Sequence, residues 1–145
     1  MIFDHGTGEI ADFIAIKETD NTVQVSMYHA KAMRAKKYNS DVNDIYEVLQ
    51  QAVKSSIWIK TKSTLLHKVL SRRTSGYCEL IKGKLDDLKK LLRGDKRFVA
   101  EMYVVQPSIS NSVELPSKYQ ELLAAARFYT LHSGRITKFT IWGSQ

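Results

Sequence analysis

The sequence predicts an α/β protein with a central mixed β-sheet that is opened by a β-hairpin and flanked by helices. Two β-rich runs, at residues 9–16 and 22–31, are joined by a short polar turn. Amphipathic helical patterns then alternate with further strand-like runs to the end of the chain. Alternation of helices and strands after a hairpin is typical of a layered α/β domain.

The hairpin is predicted from two different strand patterns. The run EIADFIAI at 9–16 is apolar on both sides of one acid, Asp12, which is typical of a strand buried on both faces. The run TVQVSMYHAK at 22–31 alternates between apolar and polar residues, as a strand with one buried face does. The link at 18–21, Glu-Thr-Asp-Asn, is short and turn-prone, so we expect an antiparallel pair.

This hairpin would bring three chemically capable side chains together. Because strand side chains point to opposite faces in turn, His29 and Lys31 share a face. The antiparallel pairing then places Asp12 beside both of them. The alternative is that Asp12 is a satisfied polar residue at a strand end, and that His29 and Lys31 are ordinary surface side chains.

The rest of the chain supplies the other layers of the domain. We expect a first short strand at 2–4, a helix that Ser40 or Asn39 caps and that runs to about residue 57, and helices at 58–73, 84–95 and 117–132. We also expect a short strand at 77–81, a long strand from 97 that ends at Pro107, and a last strand at 136–143.

Length and charge limit the classes of function. A chain of 145 residues is one domain, 1–145, that is large enough for its own core. Lys and Arg number 22 against 15 Asp and Glu, a net charge of +7, which favours a polyanionic partner, nucleic acid before an anionic membrane. We find no apolar run of membrane-spanning length and no signal peptide, so we expect a cytoplasmic protein without a membrane partner. The single cysteine, Cys78, excludes an internal disulfide.

The order of the candidate residues resembles the PD-(D/E)XK nuclease superfamily. In that superfamily an acid on one core strand is followed, on the next strand, by a second ligand, any residue and a lysine. The matching positions here are Ala11-Asp12 and then His29-Ala30-Lys31. The resemblance covers the whole chain through the order of its elements, and its motif is short.

The resemblance implies a restriction-endonuclease-like core and a divalent cation, Mg²⁺ or Mn²⁺. Asp12 would bind the cation, position 29 would hold the metal or its water, and Lys31 would orient or activate the attacking water. His29 stands where a carboxylate is usual, and imidazole suits Mn²⁺ or proton transfer better than Mg²⁺.

Other residues complete the implied site. Glu9 or Asp4 could supply the missing acid, and the segment DHGTGEIAD at 4–12 resembles the opening of nuclease domains that are fused to bacterial helicases in phage-defence systems. Nuclease folds of this kind often place a Gln or Lys on the helix after the lysine strand, and Gln51 has the spacing to point back at the metal.

Basic residues predict where nucleic acid binds. They lie in the loop after Lys31 and in the helix at 58–73, where positive side chains can neutralise phosphates. The alternative is that they form solvated surfaces. The candidates are Arg34, Lys36, Lys37, Lys60, Lys62, Lys68, Arg72 and Arg73.

Two functions from different classes follow. The first is a metal-dependent DNA endonuclease domain in phage defence or restriction, with a homodimer and a helicase domain or subunit as implied partners. The second is a catalytically inactive DNA-binding or interaction module of a helicase-like protein, which the histidine at position 29 favours. A lipid- or protein-docking domain is a weaker third. Because the nuclease core usually begins with a helix and none precedes Ile2, we expect the chain to be the C-terminal part of a longer protein.

Overall fold

The computed structural model describes residues 1–34, 37–133 and 135–144. In these ranges the chain forms six strands and four helices, with a short 3₁₀ turn at Ser56–Ile59. In chain order they are β1 (Ile2–Asp4), β2 (Phe13–Glu18), β3 (Thr22–Ala30), α1 (Val42–Ser55), α2 (Lys62–Thr74), β4 (Cys78–Leu80), α3 (Leu85–Arg93), β5 (Arg97–Ser110), α4 (Ser117–His132) and β6 (Ile136–Ser144).

The six strands form one mixed sheet in the order β4-β1-β2-β3-β5-β6. The strands β4, β1, β2 and β3 pair antiparallel with their neighbours, whereas β3, β5 and β6 run parallel. The predicted α/β class and the mixed sheet with its β2–β3 hairpin are confirmed.

The hydrophobic core lies on one face of this sheet. Val25 pairs with Ala100 and Met27 with Met102, and all four side chains are fully buried. Buried residues of all four helices join the same cluster of side chains. The alternate residues of the strands point to the opposite face, where Ser26 is buried and most of the others are half-buried or exposed. We call this second face the open face.

The structure corrects the prediction that the strand with Asp12 is buried on both sides. β2 begins at Phe13, so Asp12 precedes it. Ile10 and Ala11 are fully buried, but they reach the core from an irregular segment, which the Ile10 amide anchors by donating to Asp4 Oδ2 at 2.6 Å. Within β2, Ile14 is buried on the core face and Phe13 is 37% exposed on the open face.

The first helix begins at Val42, where Asp41, and neither Ser40 nor Asn39, caps it by accepting from the Asn43 amide. Two other boundaries differ from the sequence prediction by three residues or more. The second helix starts at Lys62 and not at residue 58, because the Thr61 hydroxyl caps it by accepting from the Thr64 amide. β5 does not end at Pro107 but continues to Ser110. Pro107 lies in the irregular part of the β5–β6 pairing, where its missing N–H interrupts no regular ladder.

His29 is placed in the core by the alternation of β3. Its side chain is fully buried, and neither ring nitrogen has a hydrogen-bond partner among the described residues. Burial lowers the pKa of His29 to about 4 from its usual 6.5. Between these values the folded protein binds fewer protons than the unfolded chain, so stability is full above pH 6.5 and falls as the pH drops toward 4.

We expect His29→Leu to remove this acid sensitivity. A shift of this size corresponds to about 3 kcal/mol of stability lost by the wild type between pH 7 and pH 4. Leucine fills a similar volume without burying unpaired nitrogens. Urea unfolding across this pH range would measure the effect. His67→Leu on the exposed surface of α2 is the control, and it should keep the acid-dependent loss. An equal loss in wild type and His29→Leu would contradict the prediction.

Candidate functional site

The candidate site lies at one edge of the sheet, where β3 ends and β2 begins. Lys31 directly follows β3, and its backbone N–H donates to the Val105 carbonyl of β5 at 3.1 Å. Asp12 directly precedes β2, which runs the opposite way. The crevice beyond the carboxyl ends of strands is the usual ligand site of open α/β sheets.

Asp12 is held in place by the hairpin itself. Its Oδ2 accepts a hydrogen bond of 2.8 Å from the Ala30 amide. Burial raises the pKa of Asp12, although this hydrogen bond and the positive charge of Lys31 act in the lowering direction. The hairpin therefore brings Asp12 into the electrostatic range of Lys31, as the sequence predicted.

Glu9, to which Gln51 donates a hydrogen bond, lies within electrostatic range of Asp12. Gln51 Nε2 donates to Glu9 Oε1 at 2.9 Å, which joins helix α1 to the segment before β2. Burial raises the pKa of Glu9, and the negative charges of Asp12 and Asp4 raise it further. Gln51 Oε1 is buried and accepts no hydrogen bond within the described part of the chain.

Glu47 belongs to the site, although the sequence analysis did not single it out. Its Oε2 lies 2.6 Å from Lys31 Nζ and 3.1 Å from an Arg34 guanidinium nitrogen. The hydrogen bond from Lys31 is the largest of the effects that lower the pKa of Glu47. Glu47 and Gln51 are four residues apart and so share one side of α1. That spacing, on the polar side of an amphipathic helix, was the available signal.

The structure does not place His29 in this cluster. The resemblance assigned position 29 a ligand or proton-transfer role, on a face shared with Lys31. In β3 the odd-numbered residues point into the core, and Lys31 lies beyond the end of the strand. The hairpin contact to Asp12 is made by the Ala30 amide and not by the His29 ring.

Asp4 and Arg72 form a buried ion pair instead of serving metal and nucleic acid. Asp4 is fully buried, and its Oδ1 lies 2.6 Å from Arg72 Nε. The remaining Arg72 nitrogens donate to the carbonyls of Thr7 and His5 at 3.0 and 2.6 Å. The Arg72 side chain is 7% exposed, so it is not available to phosphate, and it fixes the turn that leads to Glu9.

Two lysines of the predicted basic helix also have structural contacts. Lys62 Nζ donates to the carbonyls of Gly94 and Lys96, and thus ties the start of α2 to the loop before β5. Lys68 Nζ lies 4.2 Å above the ring of Trp58. Both side chains are half-buried.

The other predicted nucleic-acid contacts remain at the surface. Lys36 lies outside the described residues. Arg34 is exposed, but it is partly neutralised by Glu47. The exposed candidates are Arg34, Lys37, Lys60 and Arg73.

The donor atoms at the site suit a hard cation with few protein ligands. In residues 1–34, 37–133 and 135–144, no three His, Cys, Asp or Glu side chains are grouped closely enough to hold a metal ion. The candidate donors are the carboxylates of Asp12 and Glu9, which interact electrostatically, and the unpaired amide oxygen of Gln51, whose amide nitrogen binds Glu9. Mg²⁺ prefers oxygen ligands, and it commonly keeps several waters beside one or two carboxylates.

Comparisons with known proteins give no relative. No protein-family model matches the sequence, and no curated protein or solved structure matches it. None of the helices in the described ranges has the length and apolar character needed to cross a membrane.

We expect Arg72→Ala to destabilise the fold by about 3–5 kcal/mol, because it leaves the Asp4 carboxylate buried and unpaired. Arg73→Ala, at the exposed neighbouring position, should change stability by less than about 0.5 kcal/mol. Urea unfolding of the two variants measures the difference. If Arg72→Ala kept full stability and lost DNA affinity instead, Arg72 would be a phosphate contact after all.

Proposed function

We propose that this domain is a metal-dependent DNA endonuclease with a restriction-endonuclease-like core, which hydrolyses phosphodiester bonds in phage defence or restriction. The observation that carries the proposal is the convergence of Glu9, Asp12, Lys31 and Gln51 at one sheet edge. These residues come from separate parts of the chain, and three of them follow the order of the nuclease motif, with an acid, a lysine and a helix residue in succession.

Asp12 and Glu9 would hold Mg²⁺ or Mn²⁺, with Gln51 Oε1 as a further oxygen. Burial disfavours the ionised form of both acids, and the charge of Asp12 also disfavours that of Glu9. A divalent cation in contact with both carboxylates would reverse this penalty. When bound, it would stabilise negative charge on the scissile phosphate and lower the pKa of a water molecule.

The other residues orient the reacting groups. The Ala30 amide fixes Asp12 through its 2.8 Å hydrogen bond. Lys31 is 25% exposed at the mouth of the site, where its ammonium group would position the attacking water against the phosphate. Glu47 holds that ammonium group in place from α1.

The charge of the chain supports a nucleic-acid substrate. The net charge is +7, and Lys37, Lys60 and Arg73 are exposed. A second copy of the chain and a helicase domain or subunit are the other partners that the nuclease resemblance suggests.

A second candidate is a nuclease-like DNA-binding or interaction module without catalysis. The specific observation in its favour is that His29, at the position of the usual second acid, points into the core. Lys31 is also paired with Glu47 at 2.6 Å. This candidate predicts salt-sensitive DNA binding and no cleavage with either metal.

Asp12→Asn tests the proposal. We expect plasmid cleavage in Mg²⁺ or Mn²⁺ to fall by at least about 100-fold, while the amide oxygen can still accept from Ala30. The raised pKa of Asp12 means that its ionisation above its unfolded-state pKa opposes folding. The variant should therefore match or exceed the wild type in thermal stability at pH 7, and added Mg²⁺ should raise the melting temperature of the wild type only.

Asp20→Asn is the matched control, because Asp20 is an exposed acid in the turn at the far end of the same hairpin. It should retain both cleavage and the metal-dependent rise in melting temperature. Lys31→Met should lose cleavage but keep that rise, since Lys31 is not a ligand. Cleavage that survives in Asp12→Asn would refute the nuclease assignment. DNA that the wild type binds but never cuts would favour the second candidate.

A further inference from the structure

The open face of the sheet carries a row of aromatic side chains that no part of the proposed site uses. We call Phe3, Phe13, Tyr28, Tyr103 and Trp142 the aromatic row. Phe3 pairs with Phe13, Phe13 with Tyr28, and Tyr28 with Tyr103. Trp142 of β6 pairs with Val105, two residues beyond Tyr103 and so on the same face. Strands lie about 4.8 Å apart, so the row crosses five strands over about 20 Å.

The rings are packed so that the exposed members are held rigidly. Tyr28 and Tyr103 are stacked with centroids 4.8 Å apart, and Trp142 packs against Tyr103 at 5.1 Å. Trp142 is nevertheless 48% exposed. At the other end, Phe3 packs against Phe13 at 5.3 Å, and Phe13 is 37% exposed. Each end of the row therefore presents a large ring surface whose conformation is fixed before any ligand arrives.

The position of the row links it to the candidate site. Phe13 directly follows Asp12 in the chain, and Tyr28 lies two residues before Ala30, whose amide binds Asp12. The row runs across the strands and therefore parallel to the sheet edge that carries Asp12 and Lys31. A polymer lying on the row would have its backbone beside that edge.

Charge on the open face favours a polyanion over a second copy of the chain. Lys17, Arg97 and Lys138 belong to this face by register, and Lys138 Nζ lies 5.6 Å from the Tyr103 ring centroid. Two acids belong to this face by register: Glu101 accepts a hydrogen bond of 2.6 Å from the Tyr103 hydroxyl, and Glu79 of β4 is exposed beside Phe3 at the other end of the row. Two chains of net charge +7 repel each other. The centres of protein interfaces are depleted of charged residues, whereas here Lys138 lies beside the Tyr103 ring, and Lys17 and Arg97 lie on the same face about 13 and 20 Å along their strands from the row.

We propose that the aromatic row is a binding surface for single-stranded nucleic acid, with unpaired bases stacking on Trp142 and Phe13. Stacking is the sequence-tolerant way in which flat protein surfaces hold single strands, and cations beside the rings neutralise the phosphates. As an account of substrate recognition, this inference rests on the proposed nuclease function, because it names unpaired strands as the substrate class of the nuclease. The binding itself does not depend on cleavage.

The first test is fluorescence anisotropy with a labelled 15-nucleotide oligothymidylate and a duplex of equal length, in EDTA so that no cleavage occurs. We expect the single strand to bind more tightly than the duplex. Trp142→Ala and Phe13→Ala should each weaken single-strand binding by roughly 5- to 100-fold, and Trp142→Phe should restore most of it. Phe128→Ala is the control, because Phe128 is 66% exposed on α4 in the helix layer, and it should change the affinity less than about twofold.

The two tryptophans allow a second test. Trp58 lies in the helix layer beneath Lys68, whereas Trp142 lies on the open face. In Trp58→Phe the remaining indole should be quenched by the oligonucleotide, and in Trp142→Phe it should not. The proposal would be overturned if the oligonucleotide quenched Trp58 alone, or if single-strand binding were unchanged after loss of both the Trp142 and the Phe13 rings. Sedimentation showing that Trp142→Ala separates a dimer without affecting DNA binding would also overturn it.

These outcomes are separable from those of the cleavage assay. Asp12→Asn should bind the single strand as the wild type does, so failed cleavage with intact, ring-dependent binding would reject the nuclease and keep the aromatic row. Cleavage that persists in Trp142→Ala and Phe13→Ala with unchanged affinity would keep the nuclease and reject the row.

Discussion

The register between β3 and β5 is the constraint on which the rest of the molecule depends. Nine consecutive residue pairs, from Thr22 with Arg97 to Ala30 with Val105, fix which side chains enter the core. Because strand side chains alternate with a period of two, a shift of one residue would exchange the two faces completely. The same register buries His29, places the half-buried pair Tyr28 and Tyr103 on the open face, and ends β3 so that Lys31 lies at the sheet edge.

The two acids of the candidate site oppose folding when they are ionised, and they can bind a positive charge. Glu9 and Asp12 are both partly withdrawn from water, and burial opposes their ionisation. Asp4 is more deeply buried, but it forms an ion pair with Arg72 within the fold. Asp4 therefore has an ion-pair partner, whereas Glu9 and Asp12 accept hydrogen bonds from Gln51 and Ala30 but form no ion pair in the described part of the chain. Acids of this second kind are typical of sites that a ligand completes.

Local patterns predicted most of the fold. The alternation in 22–31 and the polar turn before it correctly indicated the hairpin, and helical periodicity placed α4 at its observed limits, Ser117–His132. The order of residues along the chain also predicted that Asp12 and Lys31 lie close to each other. These features depend on neighbours in sequence, which a single chain displays directly.

The wrong predictions concern residues whose surroundings are determined by segments that are distant in sequence. In the sequence analysis Arg72 was treated as one of the cations in a basic helix, and only the tertiary fold shows that it forms an ion pair with Asp4. His29 was assigned by its distance from Lys31 in sequence, but the strand ends between them. Glu47 received no role because its partner lies 16 residues earlier, across the loop that joins β3 to α1. The aromatic row was missed in the sequence analysis for the same reason, because its members meet only through the pairing of five strands.

The order of the strands in the sheet also has a consequence for folding. Every residue of the candidate site lies before position 52, yet β5, which pairs with β3 along its whole length, begins at Arg97. The contact between Ser26 and Glu101 closes a separation of 75 residues, and such distant pairings form late and slowly. During synthesis the hairpin can form as soon as it emerges, but its edge stays unsupported until β5 has been made. Lys31, whose backbone N–H donates to Val105, therefore acquires its fixed place only after β5 has been made, whereas the hairpin can hold Asp12 earlier.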